Sequence, residues 1–222
     1  MMKCMPHTAR GIQWAAILLL SAAAIAALLA WRHSASDFPQ ISSASLDQWK
    51  VYGGNWHTDG HVITDRSGGL GDKLIAGPRN YGNYSLSAEI RFDSAPGDPQ
   101  YGDAGLLLRV LDPAIGVDAH RGFYAGVRLD DHSLQIGAQS FIYREVANTV
   151  FPHNLHPGHW YRLAFAAEGC TFHASLKDPE TQDHAEVSYV EPGCKPLIGQ
   201  IGLRSYYARA SWRDIKVKLL RP

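Results

Sequence analysis

The chain has 222 residues, 45% of them hydrophobic and 19% charged, with Lys and Arg matching Asp and Glu at 21 each. That length holds one well-filled domain plus an appendage, and the balanced charge, with no long basic run, excludes an electrostatic footprint for nucleic acid. The 21 Gly and 12 Pro are scattered, which suits many short strands joined by turns and excludes a low-complexity tract.

Residues 1–11 are expected as a short cytoplasmic segment. From Ile12 to Trp31, "IQWAAILLLSAAAIAALLAW" is apolar except for Gln13 and Ser21, the length a helix needs to cross a bilayer of roughly 30 Å. A cleaved signal peptide is the rival, but its apolar region runs only about 7–15 residues. No small-x-small cleavage site follows, and Arg32 comes directly after Trp31, so the reading favours a retained transmembrane anchor. Lys3, Arg10 and the terminal amine outweigh Arg32, which keeps the N-terminus cytoplasmic and places the rest outside. Cys4 precedes the apolar run, so a lipoprotein is not expected. Residues 32–45, "RHSASDFPQISSAS", are polar and Ser-rich and read as a linker. Beyond the anchor only Cys170 and Cys194 remain, an even pair in a compartment that permits a disulfide; two separate reduced thiols are the alternative.

Residues 46–222 show alternation with period two and no extended helical stripe. In Tyr84–Phe92, Tyr84, Leu86, Ala88, Ile90 and Phe92 share one face, with Glu89 and Arg91 on the other. Ala104–Val110 sets Leu106, Leu108 and Val110 inward and Leu107 and Arg109 outward. Gly122–Leu129 sets Phe123, Ala125, Val127 and Leu129 inward, and Tyr124 and Arg128 outward. Further strands are expected at His61–Thr64, Ser133–Ala138, Trp160–Ala166, Thr171–Leu176, Ala185–Val190, Ile198–Arg204 and Ile215–Leu219, separated by turn signals such as "HTDGH", "LDDHS" and "EPGC". Many short strands at regular spacing argue for an all-β fold, a two-sheet antiparallel sandwich with jelly-roll topology.

Several of these stretches resemble a known family. "WKVYGGNWHTDGHVI" is similar to the opening of concanavalin A-like, laminin-G-like jelly-roll domains. "NYSLSAEIRFD", "DAGLLLRV", "HWYRLAFAAEGCTFHASL" and "IGLRSYYARASWRDIKV" resemble their later strands. The resemblance covers about residues 46–219 and is nearest to the 3-keto-disaccharide hydrolase domain family and to the sandwich modules of fructan-cleaving enzymes. The Phe-Asn-Gly-x-Asp-Leu entry of the keto-sugar hydrolases is absent before Trp49. What the resemblance implies is a carbohydrate partner bound on a concave sheet, or hydrolysis of a glycoside oxidised at C3. The motifs are mostly core aromatics and turn glycines, which specify fold more than activity.

Glu89 and Asp93 share a strand face, but four residues of strand span about 13 Å. Glycosidase carboxyl pairs stand about 5–5.5 Å or 6.5–9.5 Å apart, so a single-strand glucanase site is not expected. A pair assembled across strands, such as Glu89 with Asp103, stays open, and Glu89 is the catalytic candidate if the chain is an enzyme. If Glu89, Arg91, Arg109, Tyr124 and Arg128 lie on neighbouring strands, they make a polar floor suited to sugar hydroxyls and a sugar ring. A solvated face with weak cross-strand ion pairs is the bland alternative. His153, His156 and His159 in "PHNLHPGHW" are spaced like metal ligands, yet Pro152 and Pro157 exclude a regular helix, and a polar loop is expected. Trp49, Trp56, Trp160 and Trp212 sit at positions the family packs in its core. No metal or cofactor is expected; a structural calcium is compatible with a jelly-roll edge, but no Asp-rich loop commands one. A nucleophile elbow, a P-loop and a dinucleotide fingerprint are all missing. The reading is a membrane-anchored, extracytoplasmic carbohydrate-binding domain. Glycoside hydrolysis of the 3-keto type is the alternative, and a structural or protein-interaction role at the envelope is a third.

Overall fold

A computed structural model describes residues 41–93, 102–194 and 197–220. The expected membrane segment Ile12–Trp31 and most of the linker lie outside them. No helix among the described residues is long and apolar enough to cross a membrane.

Fourteen strands run through the described residues. The first four are β1 (Trp49–Tyr52), β2 (Trp56–Thr58), β3 (Val62–Asp65) and β4 (Asp72–Tyr81). The middle of the chain forms β5 (Tyr84–Phe92), β6 (Asp103–Leu111), β7 (Arg121–Arg128), β8 (Ser133–Ser140) and β9 (Tyr143–Val150). The last five are β10 (Trp160–Glu168), β11 (Thr171–Lys177), β12 (His184–Val190), β13 (Gly199–Tyr206) and β14 (Ala210–Leu219). They build two seven-stranded sheets, ordered β1-β4-β13-β6-β7-β8-β9 and β12-β11-β10-β5-β14-β3-β2. Every pairing is antiparallel, so the expected two-sheet sandwich is what the chain forms.

The inner faces follow the alternation. Leu86, Ile90, Phe165 and Phe172 of the second sheet are fully buried, as are Leu106, Leu108, Val127 and Ile136 of the first. Phe123 and Phe172 stack across the sandwich with ring centroids 3.6 Å apart; burying each such ring contributes about 1.5–3 kcal/mol.

Alternation fails in β6, and the failure relocates a predicted site residue. The register slips between Leu108 and Leu111 against β7, and again against β13, the signature of a β-bulge. Arg109 sits at the bulge with φ 54°. Its guanidinium turns inward, donating from Nη1 to Gly169 O at 2.6 Å and from Nη2 and Nε to Gly82 O at 3.1 and 3.3 Å. It lies over the Phe172 ring, while its backbone N–H donates to the Tyr84 hydroxyl at 2.7 Å. Arg109 therefore ties the two sheets together inside the sandwich, and the expectation that it faces outward is corrected. The extra residue sends Val110 outward instead, into a cluster with Leu107, Tyr124 and Ile75.

Two further placements follow. Trp160 is not a core residue: its ring lies between the guanidiniums of Arg91 and Arg213, at 4.7 and 4.1 Å, on the outer face of the second sheet. Cys170 and Cys194 form a disulfide with Cα atoms 6.0 Å apart, fastening the β10–β11 turn to the segment before β13.

Candidate functional site

A cavity of about 440 Å³ opens on the outer face of the first sheet. Strand register explains its floor. Lys73 (β4), Arg204 (β13), Gly105 (β6), Gly126 (β7) and Gln135 (β8) lie in one row across the sheet. The row on one side carries Tyr206, Asp103, Arg128 and Ser133; the row on the other carries Gly202, Leu107, Tyr124 and Gly137. The glycines let rings lie flat on the strands. A Cβ on Gly126 would stand 2.3 Å from the Tyr124 ring, and one on Gly137 would stand 2.2 Å from the Tyr143 ring.

On this floor stands a buried ion pair. Arg204 Nη1 donates to Asp103 Oδ1 at 2.7 Å, and the Tyr124 hydroxyl donates to the same oxygen at 2.5 Å. Both bonds fall on Oδ1, which leaves Oδ2 for an incoming group. The Arg204 guanidinium, 3% exposed, lies over the rings of Tyr124, Tyr206 and Tyr143 at 4.3, 5.7 and 6.0 Å. Burial, with the Asp103 charge beside it, pushes the Tyr124 hydroxyl well above the ordinary phenol value, so it stays a donor. The Tyr143 hydroxyl donates to Gln135 Oε1. Arg128 reaches Asp131 at 2.7 Å and Glu145 at 3.2 Å. Tyr206 and Tyr207 stack edge to face with centroids 4.6 Å apart and close one wall.

The β6–β7 loop, Asp112–His120, supplies the opposite wall through Val117 and Asp118. Beneath it Lys73 and His120 are fully buried. Lys73 Nζ donates to Gly116 O of that loop. Burial, then the charge of Arg204, pushes the Lys73 ammonium down to about 8. Burial, then Lys73 and Arg204, pushes His120 down to about 3, so its ring is neutral.

The five expected contact residues do not share this floor. Tyr124 and Arg128 do. Arg109 is inside the sandwich, and Glu89 and Arg91 belong to the outer face of the opposite sheet. Glu89 accepts from Arg213 Nε at 2.8 Å and from Arg162 Nη2 at 3.2 Å. Burial alone would raise its carboxyl, but these two hydrogen bonds outweigh burial and hold it below the ordinary value. A carboxyl so held is a poor proton donor, and its pairing with Asp103 is excluded because the two stand on opposite faces of the sandwich. Arg91 pairs with Asp93 at 2.6 Å. The three spaced histidines do not form one cluster: His153 and His159 meet at Asp178, at 3.2 and 3.1 Å, while the His156 backbone N–H donates to the Tyr161 hydroxyl. Among the described residues no group of three or more His, Cys, Asp or Glu could hold a metal ion.

Asp103 was visible in the sequence only as a possible partner of Glu89, and Arg204 only as the end of a strand. Its parity against Leu203 was the available signal. Lys73 lay in a strand that alternation does not reveal, and nothing marked His120.

Comparison with known proteins places the chain. Residues 39–218 match the model of the 3-keto-alpha-glucoside-1,2-lyase-like domain, and the chain belongs to that family. No curated protein matches it in sequence. Among solved structures it resembles the carbohydrate binding module CBM66 from Bacillus subtilis, with a TM-score of 0.62 at 18% identity, covering 81% of this chain and 99% of that one. It also resembles the VIP36 exoplasmic/lumenal domain in its Ca2+/Man3GlcNAc-bound form, with a TM-score of 0.60 at 8% identity, covering 83% and 91% of the two chains. A Bacillus subtilis protein of unknown function with a galectin-like fold gives a TM-score of 0.62 at 11% identity, covering 83% and 100%. At these identities the likeness is one of fold.

Proposed function

We propose that this domain binds a saccharide in the cavity on the first sheet, with Asp103, Arg204, Arg128, Gln135 and the tyrosines Tyr124, Tyr143 and Tyr206 as its contacts. The observation that carries the reading is the Asp103–Arg204 pair. A buried ion pair adds little stability of its own, yet here it is caged by three aromatic rings at the base of an open cavity. It presents a carboxylate oxygen and guanidinium donors in fixed positions beside ring faces, the combination that holds sugar hydroxyls and stacks a sugar ring. Two proteins of like fold, a carbohydrate binding module and a domain in a mannose-oligosaccharide-bound form, support the same chemistry. The family supports a glucoside oxidised at C3 as ligand. In this reading the apolar segment Ile12–Trp31 holds the domain at a membrane, outside the cytoplasm.

The family match favours a second reading, an elimination across C1–C2 of a 3-keto-α-glucoside that breaks its C1–O bond. The C3 carbonyl acidifies the C2 hydrogen, and Asp103 takes that proton through Oδ2. The C2–H electron pair becomes the C1=C2 double bond as the C1–O bond breaks. The leaving oxygen keeps the bonding pair and takes a proton from solvent, to which Asp103 returns the C2 proton, so that the carboxylate is restored. Ligand-observed NMR with a panel of glucosides, 3-keto forms included, tests both readings. Saturation transfer without new signals makes the domain a lectin, and new olefinic or anomeric signals make it an enzyme. Silence across the panel overturns both.

A further inference from the structure

The charged groups of the cavity on the first sheet do not balance. Arg204 meets one carboxylate, Asp103. Arg128 meets two, Asp131 and Glu145, so one of them is left over. Burial and Arg204 work against the Lys73 ammonium beneath the β6–β7 loop, and Asp118 of that loop works for it. Asp130, in the turn between β7 and β8, lines the same cavity and forms no ion pair among the described residues; its carboxyl accepts the Asp131 backbone N–H at 3.0 Å. Five carboxylates therefore stand against three cations, Arg204, Arg128 and Lys73, a surplus of two negative charges. The neutral ring of His120 adds nothing to the count.

The tyrosines that wall the cavity feel the same sign. Burial, then Asp103 and Glu145, raises the Tyr143 hydroxyl. Burial raises that of Tyr206, and Tyr207, Asp103 and Asp118 add to it against Arg204. A cleft of one sign with low-dielectric walls concentrates counter-charge. A saccharide bearing a carboxylate or phosphate is repelled here. A neutral saccharide strips water from Asp118 and Asp130 without replacing the charge it takes away. A metal ion is not the counter-charge, because among the described residues no group of three or more His, Cys, Asp or Glu could hold one. An ammonium needs no such shell: it donates to carboxylates and rests against ring faces such as those of Tyr206 and Tyr207.

We infer that the saccharide of this cavity is an amino sugar, whose ammonium is held by Asp118 and Asp130. The inference rests on the saccharide reading above and adds to it the charge of the ligand.

The test compares cellotriose with its 2-amino and 2-acetamido counterparts, three trisaccharides of one linkage that differ only at C2 of each ring. Ligand-observed NMR titrations of the full-length chain run at about pH 6, where sugar amines are protonated and carboxylates ionised. The amino trisaccharide is expected to bind about tenfold or more tightly than cellotriose at low salt. At about 1 M salt, where charges are screened beyond about 3 Å, the preference is expected to fall to about threefold or less. The acetamido trisaccharide is expected to behave like cellotriose. Asp118→Asn and Asp130→Asn are each expected to cut the low-salt preference about threefold, and the double variant to bring it within about twofold. If Asp118→Asn does not fold, Asp130→Asn, at an exposed turn, decides. Equal binding of the three sugars overturns the inference and leaves the saccharide reading standing, as does a preference for the amine that survives both substitutions. Binding of none of them overturns the saccharide reading, and the inference falls with it.

Discussion

Replacing Arg109 with Met separates a structural role from a ligand-binding one, because the bulge has turned this side chain away from the cavity. The substitution keeps an unbranched stem over Phe172 and deletes the guanidinium. Three contacts to two carbonyl oxygens, Gly82 O and Gly169 O, disappear. Each buried acceptor left unpaired costs about 1–3 kcal/mol. Part of that is offset, because burial disfavours the Arg109 charge and lowers its pKa, so removing the charge removes a desolvation cost. The balance is about 3 kcal/mol, a large fraction of the roughly 5–15 kcal/mol that holds a domain folded. At about 2–4 °C per kcal/mol for a domain of this size, the melting temperature falls by about 6–12 °C. Thermal and urea melts read the loss, and saccharide titration well below both midpoints reads the site. The expected result is a destabilised domain with native affinity. An unchanged melting temperature with lost affinity would refute the inward placement and return Arg109 to the ligand.

Asp103→Asn strips Arg204 of its buried counter-charge; about 3 kcal/mol of stability is lost and saccharide titration shows no binding, whereas retained affinity would move the site elsewhere. Glu89→Gln touches a pair whose arginines are 60% and 41% exposed, so denaturant melts shift by less than about 1 kcal/mol and affinity stays native. Lys73 titrates near 8 in the fold against 10.5 in the unfolded chain. Between those values the unfolded state binds more protons, so stability rises with pH from about 8 to about 10.5; urea midpoints across that window show the rise, and Lys73→Met removes it. Reducing the Cys170–Cys194 bridge, 24 residues apart in sequence, lowers stability by about 3 kcal/mol in the chain-entropy model, with midpoints compared in oxidising and reducing buffer.

The strands that the sequence disclosed are those with one dry face and one wet one. Tyr84–Phe92 was legible to the residue because its inner positions are uniformly apolar. β9, "YREVANTV", stands at a sheet edge with no position fully buried, so no alternation was selected there. β4 carries Gly77 at φ 80° and then Pro78, which interrupt its alternation although the strand continues through them. β1 and β2 are too short for a period to show. The site was harder still. Sharing a parity, as Glu89 and Tyr124 do, fixes only which side of its own sheet a residue takes, and in a sandwich the wet side of one sheet faces away from the wet side of the other. Sheet membership was the missing quantity, and it depends on pairings distant in sequence.

The β6 bulge shows why even a correct period can misassign a functional residue. Without the extra residue, Arg109 would stay on the face of Leu107 and Val110 would enter the core. The chain clears room for the slip on both flanking strands. A Cβ on Gly199 of β13 would stand 2.3 Å from the Arg109 carbonyl carbon, and one on Gly122 of β7 would stand 2.9 Å from Leu108 O. Gly122 also has φ 148°, a conformation side chains avoid. Three strands therefore agree on one irregularity, and each half of the molecule gains from it. Inside, a guanidinium closes the gap between sheets where Gly82 and Gly169 expose carbonyls. Outside, Val110 joins Leu107, Ile75 and Tyr124 in an apolar patch that props the Tyr124 ring beneath Arg204. The cavity floor thus takes its shape from a bulge several residues away, which Gly122 and Gly199 admit from strands whose alternation alone does not announce it.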